Sequence, residues 1–207
     1  AYEAFTDLAK VLGFSPSDVI FDGKLSIAFG SRGRGGQSAA SAHFEPDLEV
    51  INLTKMHGAG CLAHEWGHAF DHFLAVQVND EATFASETHR SSRYPSVFCD
   101  LMNAMMRRED GAITDFYRAS YKFDKAYRKS GHGYWSSRCE MFARAFDCYV
   151  ADRLAERGWR NDYLTSNADS FILVADDGTT YKAYPCGKER ERLNGLFDKL
   201  FEEMRAQ

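Results

Sequence analysis

The sequence predicts an α+β fold, mostly helical, with a small sheet just ahead of a histidine-bearing helix. Three observations lead there. Long stretches carry apolar residues at helical spacing, a few short stretches are rich in β-formers, and Gly, Pro and Asp turns separate them. At 207 residues the chain suits one domain, residues 1–207, able to bury a real core. Sixteen phenylalanines and ten tyrosines supply bulky material for it.

Taken in order, residues 2–12 are amphipathic and stop at Gly13, as a helix does. Residues 15–18 (SPSD) read as a turn and 24–29 (KLSIAF) as a short strand. The glycine-rich, aperiodic stretch GSRGRGGQSAASA (30–42) follows. Pro46 and Asp47 mark a turn before EVINL (49–53), a strand leading into the histidine helix. Pro95 opens a helix to about Arg108, with Phe98, Leu101, Met102 and Met105 on one side. Residues 113–129 give another helix, and the loop KSGHGYWSS leads into a long one at 139–158. Its stripe is Phe142, Ala145, Phe146 and Tyr149. FILVADDGTTYKAYP (171–185) reads as a hairpin about Asp-Asp-Gly. Residues 188–207 form a last amphipathic helix carrying Leu193, Leu196, Phe197, Leu200, Phe201 and Met204.

A net charge of −5 argues against a surface that coats nucleic acid. No apolar run reaches the roughly eighteen residues needed to cross a bilayer, and the first residues do not form a signal peptide. The chain starts with Ala1 rather than Met, which reads as a piece of a larger protein. Five scattered cysteines without a CxxC pair suggest neither a thiolate zinc knuckle nor a disulfide framework, and place the protein in a reducing, cytoplasmic setting.

The chemistry centres on GAGCLAHEWGHAFDHFL (58–74). Residues i and i+4 of a helix stand one above the other, about 5–6 Å apart at Cβ. His64 and His68 can therefore share one zinc ion at about 2.0–2.1 Å each. Glu65 lies beside that pair rather than on it, placed to take a proton from a zinc-bound water and hand it to a leaving amine. This is the HExxH arrangement of metal-activated hydrolysis. The plain alternative is a helix with two polar histidines at the edge of a core. Gly67 costs about 1 kcal/mol of helix stability relative to Ala, which makes sense if another backbone approaches closely.

The metzincin pattern would need Gly at 71 and His at 74; the chain has Asp71 and Leu74. The other source of a third ligand is a glutamate on a separate helix, and Glu140 fits, opening a helix whose opposite side is apolar. A glutamate in a first turn is also simply favoured by the helix dipole. Asp71, three residues after His68, can accept the second ring N–H of a ligand histidine, or else pair with Arg144. His72 is too far along the axis to be a ligand and reads as structural or solvent-facing. Tyr134 and His132, in the loop before Glu140, can swing over the site to stabilise an oxyanion, or Tyr134 and Trp135 anchor the loop as core aromatics. Residues 49–53 can be an edge strand that holds an extended peptide through Val50 and Asn52, or an ordinary strand.

The segment EMFARAF resembles the third-ligand segment of lethal-factor-type zinc peptidases, where a tyrosine shortly before the ligand glutamate stabilises the oxyanion. More widely, AFGSRGRGG, HFEP, VINLTKMHGAGCLAHEWGHAFDHFL, YWSSRCEMFARAFDCYV and RNDYL resemble the large polyvalent protein-associated domain, first of its series, from about Ser26 to Leu164 and on into the final helix. That resemblance implies a zincin-like, gluzincin-type metallopeptidase domain within a phage or mobile-element polyprotein, delivered into a recipient cell. It also implies that AFGSRGRGG matters. Arg32 and Arg34 among its glycines can form an anion-binding nest, a flap beside the cleft or a solvated loop. RNDYL (160–164) is read as an anchor for the end of the long helix.

The expected function is a zinc endopeptidase with His64, His68 and Glu140 as ligands and Glu65 as base. Its partner is a protein or peptide substrate, with other domains of its own polyprotein among the targets. The alternative is a catalytically silent module on the same scaffold that binds a host protein or nucleic acid.

Overall fold

A computed structural model describes residues 1–30, 41–55, 57–127 and 133–206. The expected anion nest at Arg32 and Arg34 and the alternative swing residue His132 lie outside the described residues. Six helices are present among them: α1 (Tyr2–Leu12), α2 (Leu62–Gln77), α3 (Ser96–Met106), α4 (Asp115–Tyr127), α5 (Arg138–Glu156) and α6 (Gly187–Arg205). The strands are β1 (Ser26–Phe29), β2 (Ala42–Glu45), β3 (Val50–Leu53), β4 (Ile172–Val174) and β5 (Thr180–Lys182). No helix among the described residues is long and apolar enough to cross a membrane.

Local signals account for most boundaries. Gly13 closes α1 with φ of 67°, and its N–H bonds back to the Ala9 carbonyl. In the SPSD turn, Ser15 N–H donates to Asp18 Oδ2 at 2.8 Å. Pro95 precedes α3 as expected. β4 and β5 pair antiparallel about the Asp176-Asp177-Gly178 turn.

The first sheet departs from expectation. Its order is β1-β3-β2, with β3 parallel to β1 and antiparallel to β2. β3 is thus the central strand, and both of its backbone edges are already used. The reading of Val50 and Asn52 as residues that hold a peptide at an edge is therefore corrected. Asn52 is buried, and its amide donates to Glu45 Oε1 at 2.7 Å. The strand with an outer edge near α2 is β2, which pairs with no other strand on that side among the described residues.

The core is built round α2 and α5. Trp66 stacks on Phe146 with ring centroids 5.1 Å apart, and Phe70 faces Phe142 at 6.3 Å. Advancing along α2 thus means moving back along α5, so the two helices are antiparallel. Phe197 and Phe201 of α6 close the cluster against Phe142 and Phe146. Trp66 Nε1–H donates to the Val19 carbonyl at 2.7 Å, tying α2 to the turn ahead of the sheet.

Neither end of this pair relies on a side-chain cap. At the start of α2, Gly60 and Ala63 N–H groups donate to the carbonyls of Tyr163 and Leu164, both at 2.9 Å. RNDYL therefore anchors the histidine helix as well as following α5. Ahead of α5, Asp124 accepts the N–H groups of Trp135 and Ser136 at 2.7 and 2.9 Å, fixing the turn that carries Tyr134.

Gly67 sits at the closest approach. A Cβ there would lie 3.1 Å from Ala143 Cα and 3.3 Å from the Phe146 ring. Alanine would gain about 1 kcal/mol of helix propensity, while overpacking costs roughly 1–3 kcal/mol. The contact includes backbone, which yields little, so the cost should win. Gly67→Ala is expected to lower the unfolding free energy by about 1 kcal/mol in denaturant titration. A higher midpoint would show that the two helices separate freely.

Candidate metal centre

The antiparallel α2–α5 pair brings three donors together. His64 Nε2 lies 3.5 Å from Glu140 Oε2, and His68 Nε2 lies 3.5 Å from Glu140 Oε1. Ligand atoms of the three residues all fall within 4.8 Å of one another. The imidazoles are nearly perpendicular, with centroids 4.9 Å apart. Phe84 leans on the His68 ring at 5.7 Å. Glu140 reaches the site from the first turn of α5, where the helix dipole also favours its charge.

The electrostatics follow from burial. Desolvation alone would raise Glu140, but hydrogen bonds from His64 and His68, with their charge, hold it well below the usual carboxylate range. Burial works against the His64 imidazolium, yet the hydrogen bond and charge of Glu140, joined by Glu65 and Asp147, lift its pKa to about 8. Glu65 is buried beside the cluster, and desolvation pushes its carboxyl upward against the pull of His64 and His68. Tyr134 also arrives at the site. Its hydroxyl is hydrogen-bonded to the Glu140 carboxylate, and burial with the Glu140 charge drives its pKa far up. The phenol therefore stays protonated, a donor, at any neutral pH.

Two expected partners lie elsewhere. Asp71 does not orient a ligand histidine or pair with Arg144. Ser86 N–H and Oγ–H donate to its two oxygens at 2.8 and 2.6 Å, which ties the segment after α2 to the helix. His68 Nδ1 and His64 Nδ1 are both buried and lack a hydrogen-bond partner. Arg144 is buried instead one turn along α5 from Glu140. It donates to the carbonyls of Ala183 and Trp135 and to Ser120 Oγ, joining α5 to the hairpin, the Tyr134 turn and α4. His72 donates Nδ1–H to the Thr83 carbonyl at 2.7 Å, a structural role.

The sequence reading missed two groups. His43 on β2 contacts Glu45 Oε1 through Nε2 at 3.3 Å, and its charge acts on Glu65. Asp147, also on α5, is fully buried with neither oxygen hydrogen-bonded. Its position seven residues after Glu140, two helical turns along the same face, was the available signal.

Fold and site together define an α+β protein whose two central helices carry a His-His-Glu donor centre flanked by a buried glutamate. Residues 126–207 match the model of the family called large polyvalent protein-associated domain 1. The match includes Tyr134, Glu140 and Asp147, whereas His64, Glu65 and His68 lie before it, unlike the resemblance read from about Ser26 onward. Searches of curated proteins and of solved structures returned no match.

In metal-free protein, Glu140→Gln should lower the His64 pKa from about 8, since the largest influence opposing burial is removed. A folded pKa above the unfolded value means stabilisation that is complete below pH 6.5 and lost as pH rises through about 8. Unfolding free energy of the metal-free wild type should fall across that window, and the variant should show a smaller fall. An unchanged His64 pKa by NMR titration would contradict this electrostatic account.

Proposed function

We propose that this chain is a zinc-dependent peptidase in which His64, His68 and Glu140 hold the ion and Glu65 is the general base. The observation that supports it most is the meeting of two imidazole Nε2 atoms and one carboxylate, each imidazole 3.5 Å from a carboxylate oxygen. Tetrahedral bonds of about 2.0–2.1 Å place neighbouring donors roughly 3.3 Å apart, close to the two imidazole–carboxylate separations here, and the set of three lies within 4.8 Å, so it would have to contract around an ion. The donor chemistry, nitrogen and carboxylate without thiolate, suits zinc in a site that leaves a position open.

Bound there, zinc would acidify water and polarise a carbonyl. The chain's own groups account for the remaining tasks. Glu65, held in a desolvated position beside the donors, accepts a proton from the attacking water and returns it to the departing amine. Its burial raises its basicity in a direction that suits both transfers. Tyr134, a protonated donor already at the Glu140 carboxylate, can turn its hydroxyl toward a developing oxyanion. His43 adds a second polar group on the β2 side. An extended substrate would add to the outer edge of β2, since β3 has no edge to offer.

Glu65→Gln should leave metal content unchanged while cleavage of an unfolded protein substrate falls by roughly 10²–10⁴-fold, the usual worth of a general base. The check is zinc content and cleavage rate measured on one preparation. Cleavage by the variant at the wild-type rate would remove Glu65 from the mechanism.

A further inference from the structure

Behind His64, on the side away from Glu140, three buried polar groups lack hydrogen-bond partners: His64 Nδ1, both oxygens of Asp147, and Thr165 Oγ1. Asp147 is 0% exposed and Thr165 9%. Buried polar groups are almost always paired, and an isolated buried carboxylate is among the most costly groups to leave alone. Three such groups at separate places would be three defects; together they are mutually complementary.

Helix register places them together. Gly67 faces Ala143 at the closest approach of α2 and α5. His64 is one turn before Gly67, and Asp147 is one turn beyond Ala143. Because the helices run antiparallel, those two positions fall at the same level. Thr165 comes from the segment whose Tyr163 and Leu164 carbonyls accept N–H groups at the start of α2, so it is held at this end too. The charges of Asp147 and His64 act on each other, and Thr165 acts on Asp147. The position four residues after Glu140, one turn along, is taken by Arg144, which points its guanidinium to Ala183 and Trp135 instead.

We propose that Asp147 is the positioning residue for His64: it accepts the His64 Nδ1–H on one oxygen and the Thr165 hydroxyl on the other. With a metal ion on Nε2 in place of the Glu140 contact, the pairing would hold the His64 proton on Nδ1 and make Nε2 a stronger donor. Thr165 holds the carboxylate in turn, so the segment after α5 reports on the geometry of α2. His68, whose Nδ1 has no carboxylate assigned to it, lacks this support, and the two ligand histidines are therefore unequal.

This inference rests on the metal-site reading for its consequence, but its structural core does not. The first measurement is the tautomer of His64 by long-range nitrogen–proton NMR in metal-free Glu140→Ala protein, at a pH where the imidazole is neutral, because in the wild type the Glu140 carboxylate competes for the proton at Nε2. That protein should carry the proton on Nδ1. Adding Asp147→Asn, similar in shape but able to donate from its amide, should shift His64 toward the Nε2–H form. Adding Thr165→Ala should move it less in the same direction. Zinc affinity, measured with Glu140 intact by competition with a chelator, should weaken about 10–100-fold in Asp147→Asn. An Nε2–H tautomer in the Glu140→Ala protein overturns the proposal, and so does an unchanged tautomer and affinity on a folded Asp147→Asn change. If that change prevents folding, the Glu140→Ala spectrum and Thr165→Ala still decide it. Absence of zinc binding by wild type would instead remove the peptidase reading, while the tautomer result would still judge the Asp147 pairing.

Discussion

Everything at the candidate centre depends on how closely α2 and α5 approach. Gly67 against Ala143 lets two helices with large aromatic faces come together without a side chain between them. Trp66, Phe70, Phe142 and Phe146 then lock the register, because each ring has one neighbour across the interface that fits it. With that register set, a glutamate in the first turn of α5 meets two histidines one turn apart on α2. A glycine that weakens its own helix is explained by the neighbour it admits.

The same packing concentrates ionisable groups where water is scarce. Glu65, Asp71, Arg144 and Asp147 are all buried on these two helices, and each has a different solution to its desolvation. Asp71 is satisfied by Ser86, and Arg144 by carbonyls and a hydroxyl while lying over the Phe116 and Trp135 rings. Glu140 is balanced by two imidazoles. Asp147 alone among them is left with neither oxygen hydrogen-bonded, and helix register puts it level with His64. A buried carboxylate without a partner at the level of a histidine is hard to explain by packing alone and easy to explain by chemistry at that histidine.

The helices were legible in the sequence because their signals are local: Gly13 at a stop, Pro95 at a start, and apolar stripes at helical spacing. HEWGH placed His64 and His68 together for the same reason, since i and i+4 geometry is a property of one helix, whereas Glu140, which the fold brings to them, came from the resemblance of EMFARAF and its helix's apolar stripe. Strand order was not legible. The segment containing His43 and Phe44 is too short and mixed to reveal β2, and nothing local tells that EVINL lies between two partners. Asp71 and Arg144 were misassigned because their partners, Ser86 on one side and Ala183 and Trp135 on the other, come from loops whose approach no periodicity encodes. Asp147 was hidden similarly: a carboxylate among Phe146, Cys148 and Tyr149 gains its meaning only from Thr165 and His64, which the fold brings to it.

The account stands on the three donors forming one metal centre. Zinc content of the chain purified without added metal, compared with its Glu140→Ala variant by elemental mass spectrometry, tests that claim most directly. Zinc close to stoichiometric in wild type and sharply reduced in the variant is the predicted result. Little zinc in the folded wild type, or equal zinc in both proteins, would contradict it.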